Sequence, residues 1–221
     1  MSMSTFIPQG DAEFLSPFGP CMGYMRMGED FANELNETMN KTLKDFSGSL
    51  VGKVNSELAF NKEIIDKCLH KFSAFVLKYH EMFELKSSFN QKTLDNTTHD
   101  YGLQIISGWF VRQFENEYNP LHIHTGAKLS CVGYLQLPDG IEEEWENEKK
   151  KHMISNGHIQ FASGTHSGYN LTTFLVRPKV GDFYLFPSEL FHTVYPFYTK
   201  GERRSFSMNM NCIKIKKSVD K

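Results

Sequence analysis

Two histidines stand one residue apart in Asn119-Pro120-Leu121-His122-Ile123-His124-Thr125-Gly126-Ala127-Lys128. In an extended chain successive side chains point to opposite faces, so His122 and His124 project to one side. Two imidazoles on one side can bind one metal ion if a third ligand arrives from elsewhere. The best candidate is His192, in Phe186-Pro187-Ser188-Glu189-Leu190-Phe191-His192-Thr193-Val194. Neutral imidazole suits iron, copper, nickel and zinc alike, so ligand type alone does not choose the ion.

A second constellation lies in a strand expected over 203–213. Arg203, Ser205, Ser207, Asn209 and Asn211 fall on one side; Arg204, Phe206, Met208, Met210 and Cys212 fall on the other. The apolar side must be covered, and helices nearer the N-terminus are the available cover. The polar side faces either bulk water or a pocket for a polar ligand. In a pocket, Arg203 offers a bidentate fork and Ser205 a further donor, together a carboxylate clamp. Arg203 follows His192 by 203 − 192 = 11 residues. That allows the two to sit on adjacent antiparallel strands, with the arginine deeper. A metal near the mouth and a carboxylate hook inside would suit a small dicarboxylic ligand.

The elements that must position these groups follow from periodicity. Residues 1–28, rich in Gly, Pro and Met, predict an extended or turn-rich lead-in packed through Phe6, Phe14, Leu15 and Phe18. Helical spacing then covers 30–47 (Phe31, Leu35, Met39, Leu43, Phe46, with Gly48 as a stop) and 61–84 (Ile64 through Phe83). Both are amphipathic and read as scaffold. Polar residues 86–100 predict a loop. From 101 the period becomes two, with strands at 105–114, 129–137, 157–161, 171–176, 182–186 and 203–213. Pro138-Asp139-Gly140 closes a turn, and the Glu and Lys blocks of 141–152 predict a short solvated helix, not an acidic metal site. Helices followed by many short strands predict α+β, the helices bracing a β-sandwich or barrel. The organisation expected is a single domain: 1–100 as lead-in and bracing helices, 101–221 as the β core.

Composition narrows the function classes. With 221 residues and 40% hydrophobic content the chain can bury a core, and 14% aromatics, 19 of them Phe, suit strands. A formal net charge of −2 gives no support to nucleic-acid binding. No stretch approaches a membrane span, and no signal peptide is expected. Cys21, Cys68, Cys131 and Cys212 are widely spaced, as expected of reduced thiols in a cytoplasmic protein. His158 and His166 are expected to be locally hydrogen-bonded or pocket-rim residues, not ligands. Trp109, Tyr118 and Trp145 could line a groove, but core packing is the ordinary role.

The motif order is more specific than any motif alone. His122-x-His124, then Leu129-Ser130-x-Val132-x-Tyr134, Gly157-x-Ile159-x-Phe161, Gly181-Asp182 leading to Phe186-Pro187-Ser188 and His192, and Arg203-x-Ser205-x-Ser207-x-Asn209 resemble the 2-oxoglutarate- and iron(II)-dependent oxygenases. The resemblance spans roughly 105–211. It is nearest to a prolyl-hydroxylase-like group of marine bacteria and their phages, which implies a bacterial or phage-infected cytoplasm. It implies a double-stranded β-helix (jelly-roll) core. It implies His122 and His192 as iron ligands, Arg203 and Ser205 on the far carboxylate of 2-oxoglutarate, and Tyr134 as a further donor to it. O2 is the second co-substrate, and ascorbate an accessory reductant. The substrate expected is a small molecule or peptide, peptidyl proline by analogy. One departure stands out: the wider class has a carboxylate where this chain has His124. A three-histidine site is therefore expected, or an outside carboxylate with His124 behind it. The alternatives are a three-histidine zinc or iron enzyme that does not use 2-oxoglutarate, or a non-catalytic jelly-roll binding protein.

Overall fold

The last strand sets the frame. The computed structural model describes residues 19–40, 56–87, 99–148, 155–168 and 170–216. In it β10 (Glu202–Lys216) pairs antiparallel with β3 (His99–Phe114) on one side and β5 (Leu129–Gln136) on the other. The larger sheet runs β1 (Gly23–Arg26), β8 (Asp182–Pro187), β5, β10, β3 and β2 (Ser56–Ala59). The smaller runs β4 (Asn119–His122), β9 (Phe191–Val194), β6 (Ile159–Ala162) and β7 (Thr173–Val176). The pairings are antiparallel. Val132, Tyr134 and Phe186 of the larger sheet share one apolar cluster with Ile159, Phe161, Val176 and Val194 of the smaller. This is the expected α+β fold with a jelly-roll core.

The outer face of the larger sheet is as apolar as alternation along β10 requires. Phe206, Met208 and Met210 are fully buried, as are Phe183 and Leu185 on β8. They pack against α1 (Glu29–Met39) and α2 (Lys62–Ser87) through Ala32, Leu35, Ile64, Cys68, Phe72 and Val76. Phe72 stacks on Phe183 at 4.2 Å between ring centroids. The Asn61 side chain accepts the Ile64 N–H at 3.0 Å and starts α2.

Several boundaries differ from the sequence reading. Residues 23–26 of the lead-in form β1, on the outside of β8. β2 has no counterpart among the predicted strands, because a four-residue edge strand carries too little periodicity to register. β3 begins at His99, ahead of 105, because β10 offers a partner along its whole length. Phe6, Phe14, Leu15, Phe18, Leu43, Phe46 and Gly48 lie outside the described residues. The helix after the Pro138 turn is α3 (Ile141–Glu148). It is not simply solvated: Trp145 is buried, and Glu144 accepts the N–H groups of Tyr198 and Thr199.

One ion cluster fixes α1 to the sheet. Glu202 accepts two hydrogen bonds from Arg112 (2.6 and 3.1 Å) and two from Arg204 (2.8 and 3.0 Å). Arg204 also donates to Asn36 and Asn40 on and beyond α1. Burial alone raises the Glu202 carboxyl, but the bonds from Arg112 and Arg204 outweigh it and hold the group below its ordinary range. Glu202→Gln is expected to cost about 1–3 kcal/mol at neutral pH, since two guanidinium forks lose a charged acceptor. The native-state carboxyl is depressed, so its stabilisation is present above the unfolded value of 4.5 and lost as pH falls through the folded one. Denaturation midpoints of wild type and variant should therefore converge on acidification below that value. A gap unchanged by acid would exclude the charge as its source.

Candidate metal and co-substrate site

Strand register brings the distant histidine to the first of the pair. On β4 and β9, His122 lies opposite His192, with ring centroids 4.2 Å apart. β4 ends at His122, so His124 lies beyond the strand, where its backbone N–H donates to Ser188 O at 2.9 Å. The shared side expected of His122 and His124 survives past the strand end. The ligand nitrogens of all three rings lie within 4.8 Å of one another. His124 Nε2 and His192 Nε2 are 3.2 Å apart.

The tautomers follow from the neighbours. His122 Nδ1 is 2.7 Å from Pro120 O, and His192 Nδ1 is 2.8 Å from Leu190 O. A carbonyl only accepts, so each Nδ1–H donates and each Nε2 keeps its lone pair. Burial, with His122 nearby, pushes His192 down to about 3 and His124 down to about 4. Both rings are therefore neutral at pH 7, the form that ligates. Two nitrogens bound cis to one ion at about 2.1 Å are separated by about 3.0 Å, close to the observed approach. The donor set fits a divalent metal.

Arg203 faces the same space from the larger sheet. It is 3% exposed. One terminal nitrogen donates to Gly157 O at 2.8 Å, and the other donates to Gln113 Oε1. Gln113 is oriented by its own amide, which donates to Glu117 O at 2.5 Å. The Arg203 Nε–H is buried without a partner. No carboxylate among the described residues forms an ion pair with Arg203, and burial lowers its pKa. Ser205 lies opposite Tyr134 in the β10–β5 ladder, and both are buried. The guanidinium carbon sits 6.0 Å from the Tyr134 ring centroid, and burial pushes that hydroxyl up to about 12. A buried cation with only neutral acceptors is costly unless an anion joins it.

His122, His124, His192, Tyr134, Arg203 and Ser205 line one cavity of about 370 Å³, with Ser207, Asn209, Trp109 and Glu57. His192 and Arg203 reach it from β9 and β10, which belong to opposite sheets and are not the neighbouring strands expected from their spacing. Gln113, Gly157 and Glu57 were not legible as site residues. His158 is buried and hydrogen-bonded to Asn156 O, while His166 is exposed; neither joins the cluster. Trp109 lines the cavity, Trp145 is core, and Tyr118 is 44% exposed. The four cysteines are free thiols. No helix among the described residues is long and apolar enough to cross a membrane.

Comparison with solved structures supports this architecture. HygX from Streptomyces hygroscopicus, determined with nickel and 2-oxoglutarate bound, is similar at a TM-score of 0.53 and 11% identity, over 86% of this chain and 82% of that one. A prolyl-4-hydroxylase from Pseudomonas putida is similar at a TM-score of 0.47 and 15% identity, over 86% and 91%. HygX shares the fold of this chain. A comparison with curated proteins finds no match. Residues 107–209 match the model of a family described as "Putative 2OG-Fe(II) oxygenase". This segment runs from the middle of β3 to Asn209 on β10 and contains every histidine of the cluster together with Arg203. Through this segment the chain is similar to the 2-oxoglutarate- and iron(II)-dependent oxygenases.

Proposed function

We propose that His122, His124 and His192 hold iron(II), and that Arg203, Ser205 and Tyr134 hold the far carboxylate of 2-oxoglutarate. The observation that carries this reading is the buried Arg203, with an unused Nε–H, opening onto the cavity that three lone-pair nitrogens enter from the opposite sheet. When bound, iron(II) with 2-oxoglutarate and dioxygen supplies oxidative decarboxylation, to succinate and carbon dioxide, coupled to hydroxylation of a substrate C–H bond. The chain orients and shields. Pro120 O and Leu190 O fix two imidazole rings by their Nδ1–H groups. Gly157 O and Gln113 aim the guanidinium. Phe186, Ile159 and Val194 keep the cavity walls apolar. The substrate class carried by the resemblance is peptidyl proline. Three imidazoles would also suit zinc hydrolysis or a 2-oxoglutarate-independent oxygenase, but neither uses an anion hook.

Anaerobic protein given iron(II) and 2-oxoglutarate is expected to show a weak visible charge-transfer band. Arg203→Ala should weaken 2-oxoglutarate binding by about 30-fold or more, the usual result of truncating a buried charged partner. Wild type that stays colourless and forms no succinate on admitting oxygen would overturn the assignment. Cobalt(II) uptake by equilibrium dialysis should reach one ion per chain. His192→Ala should lower that affinity by at least about 100-fold while His166→Ala leaves it unchanged. Equal uptake by all three proteins would remove the histidines as ligands.

A further inference from the structure

Glu57 is the one carboxylate among the described residues lining the cavity, and Arg203 is the one arginine or lysine. They stand apart. Glu57 pairs with Val111, and Val111 with Ser205, so Glu57 lies two strands from Ser205 on the same inner face. At ordinary strand spacing that is about 10 Å across the sheet. Trp109, two residues from Val111 along β3, hydrogen-bonds with Glu57 through its side chain, and its ring centroid is 5.6 Å from that of His124. The inference rests on the oxygenase reading above. In that reading 2-oxoglutarate spans the histidines and Arg203, which leaves the Trp109 and Glu57 end for the second substrate.

That end has a defined chemistry. Glu57 is 6% exposed. The indole N–H is a neutral donor, so it satisfies a carboxylate lone pair without cancelling the charge. Burial pushes the Glu57 carboxyl up to about 7, so a cation arriving beside it would favour the ionised form. A carboxylate next to an indole is a strong combination for a cationic nitrogen, through charge-assisted hydrogen bonding and the ring face. An acidic substrate would meet repulsion there. We propose that Glu57 selects a substrate carrying an ammonium or guanidinium group, seated against Glu57 and the Trp109 ring while its oxidisable carbon lies at the three histidines.

The test uses the full chain with n-butylammonium as probe, and 1-pentanol and butyrate as neutral and anionic counterparts. Trp109 and Trp145 are the two tryptophans, so two indole N–H resonances report, assigned through Trp145→Phe. Butylammonium is expected to shift the Trp109 resonance, the other two compounds to leave it at the same concentration. Glu57→Gln should weaken butylammonium at least tenfold, with melting temperature and the 2-oxoglutarate band unchanged. Should Glu57→Gln fail to fold, Glu57→Asp should still weaken the probe measurably. Equal binding of pentanol, or full affinity in the substituted proteins, overturns the proposal. Loss of the 2-oxoglutarate band in Glu57→Gln also overturns it, by placing Glu57 in the co-substrate site. Probe binding in wild type that never forms the band would instead reject the oxygenase reading.

Discussion

A guanidinium buried between two sheets, hydrogen-bonded by neutral groups alone, is the constraint on which this architecture turns. Arg203 is satisfied at its two terminal nitrogens and unsatisfied in charge. Holding it requires three separate parts of the fold. β3 supplies Gln113, itself fixed by Glu117 O. The turn before β6 supplies Gly157 O, and Gly157 has φ of 68°, a left-handed conformation that favours glycine. α3 pins that turn, because Trp145 Nε1 donates to Asn156 O at 2.7 Å and the Asn156 amide donates to Glu144 at the same distance. An acidic run that reads as a solvated face therefore buttresses the floor of the cavity.

The two halves of the site have complementary electrostatics. On the histidine side, burial holds the His124 and His192 rings neutral at pH 7. The arginine side carries a full charge. In the proposed reading a dianionic ligand bridging a divalent ion and Arg203 would offset two of their three positive charges.

Much of this is legible in the amino-acid sequence. Alternation along 203–213 separated Arg203 and Ser205 from Phe206 and Met208, because burial on both faces of β10 leaves a polar stripe only where something polar is needed. The i, i+2 relation between His122 and His124 likewise needs only an extended chain. What stayed hidden depends on long-range register. Nothing in an eleven-residue spacing tells whether His192 and Arg203 share a sheet; the intervening segment carries the chain from one sheet to the other. Gly157 acts through a backbone carbonyl, which has no residue signature. Glu57 sits in a four-residue edge strand, where an acid reads as solvent-facing until the neighbouring β3 shows which side is in.

The histidines belong to the smaller sheet and its margin, the arginine to the larger, so the gap between the imidazole cluster and the guanidinium is the thickness of the sandwich itself. Packed sheets keep a spacing of about 10 Å that their interleaved side chains dictate. Val132 and Phe186 on one side, with Ile159 and Val194 on the other, thus act as spacers in a caliper. In the proposed reading, trimming or enlarging them would reset the length of dicarboxylate the jaws accept, without touching a histidine or the arginine.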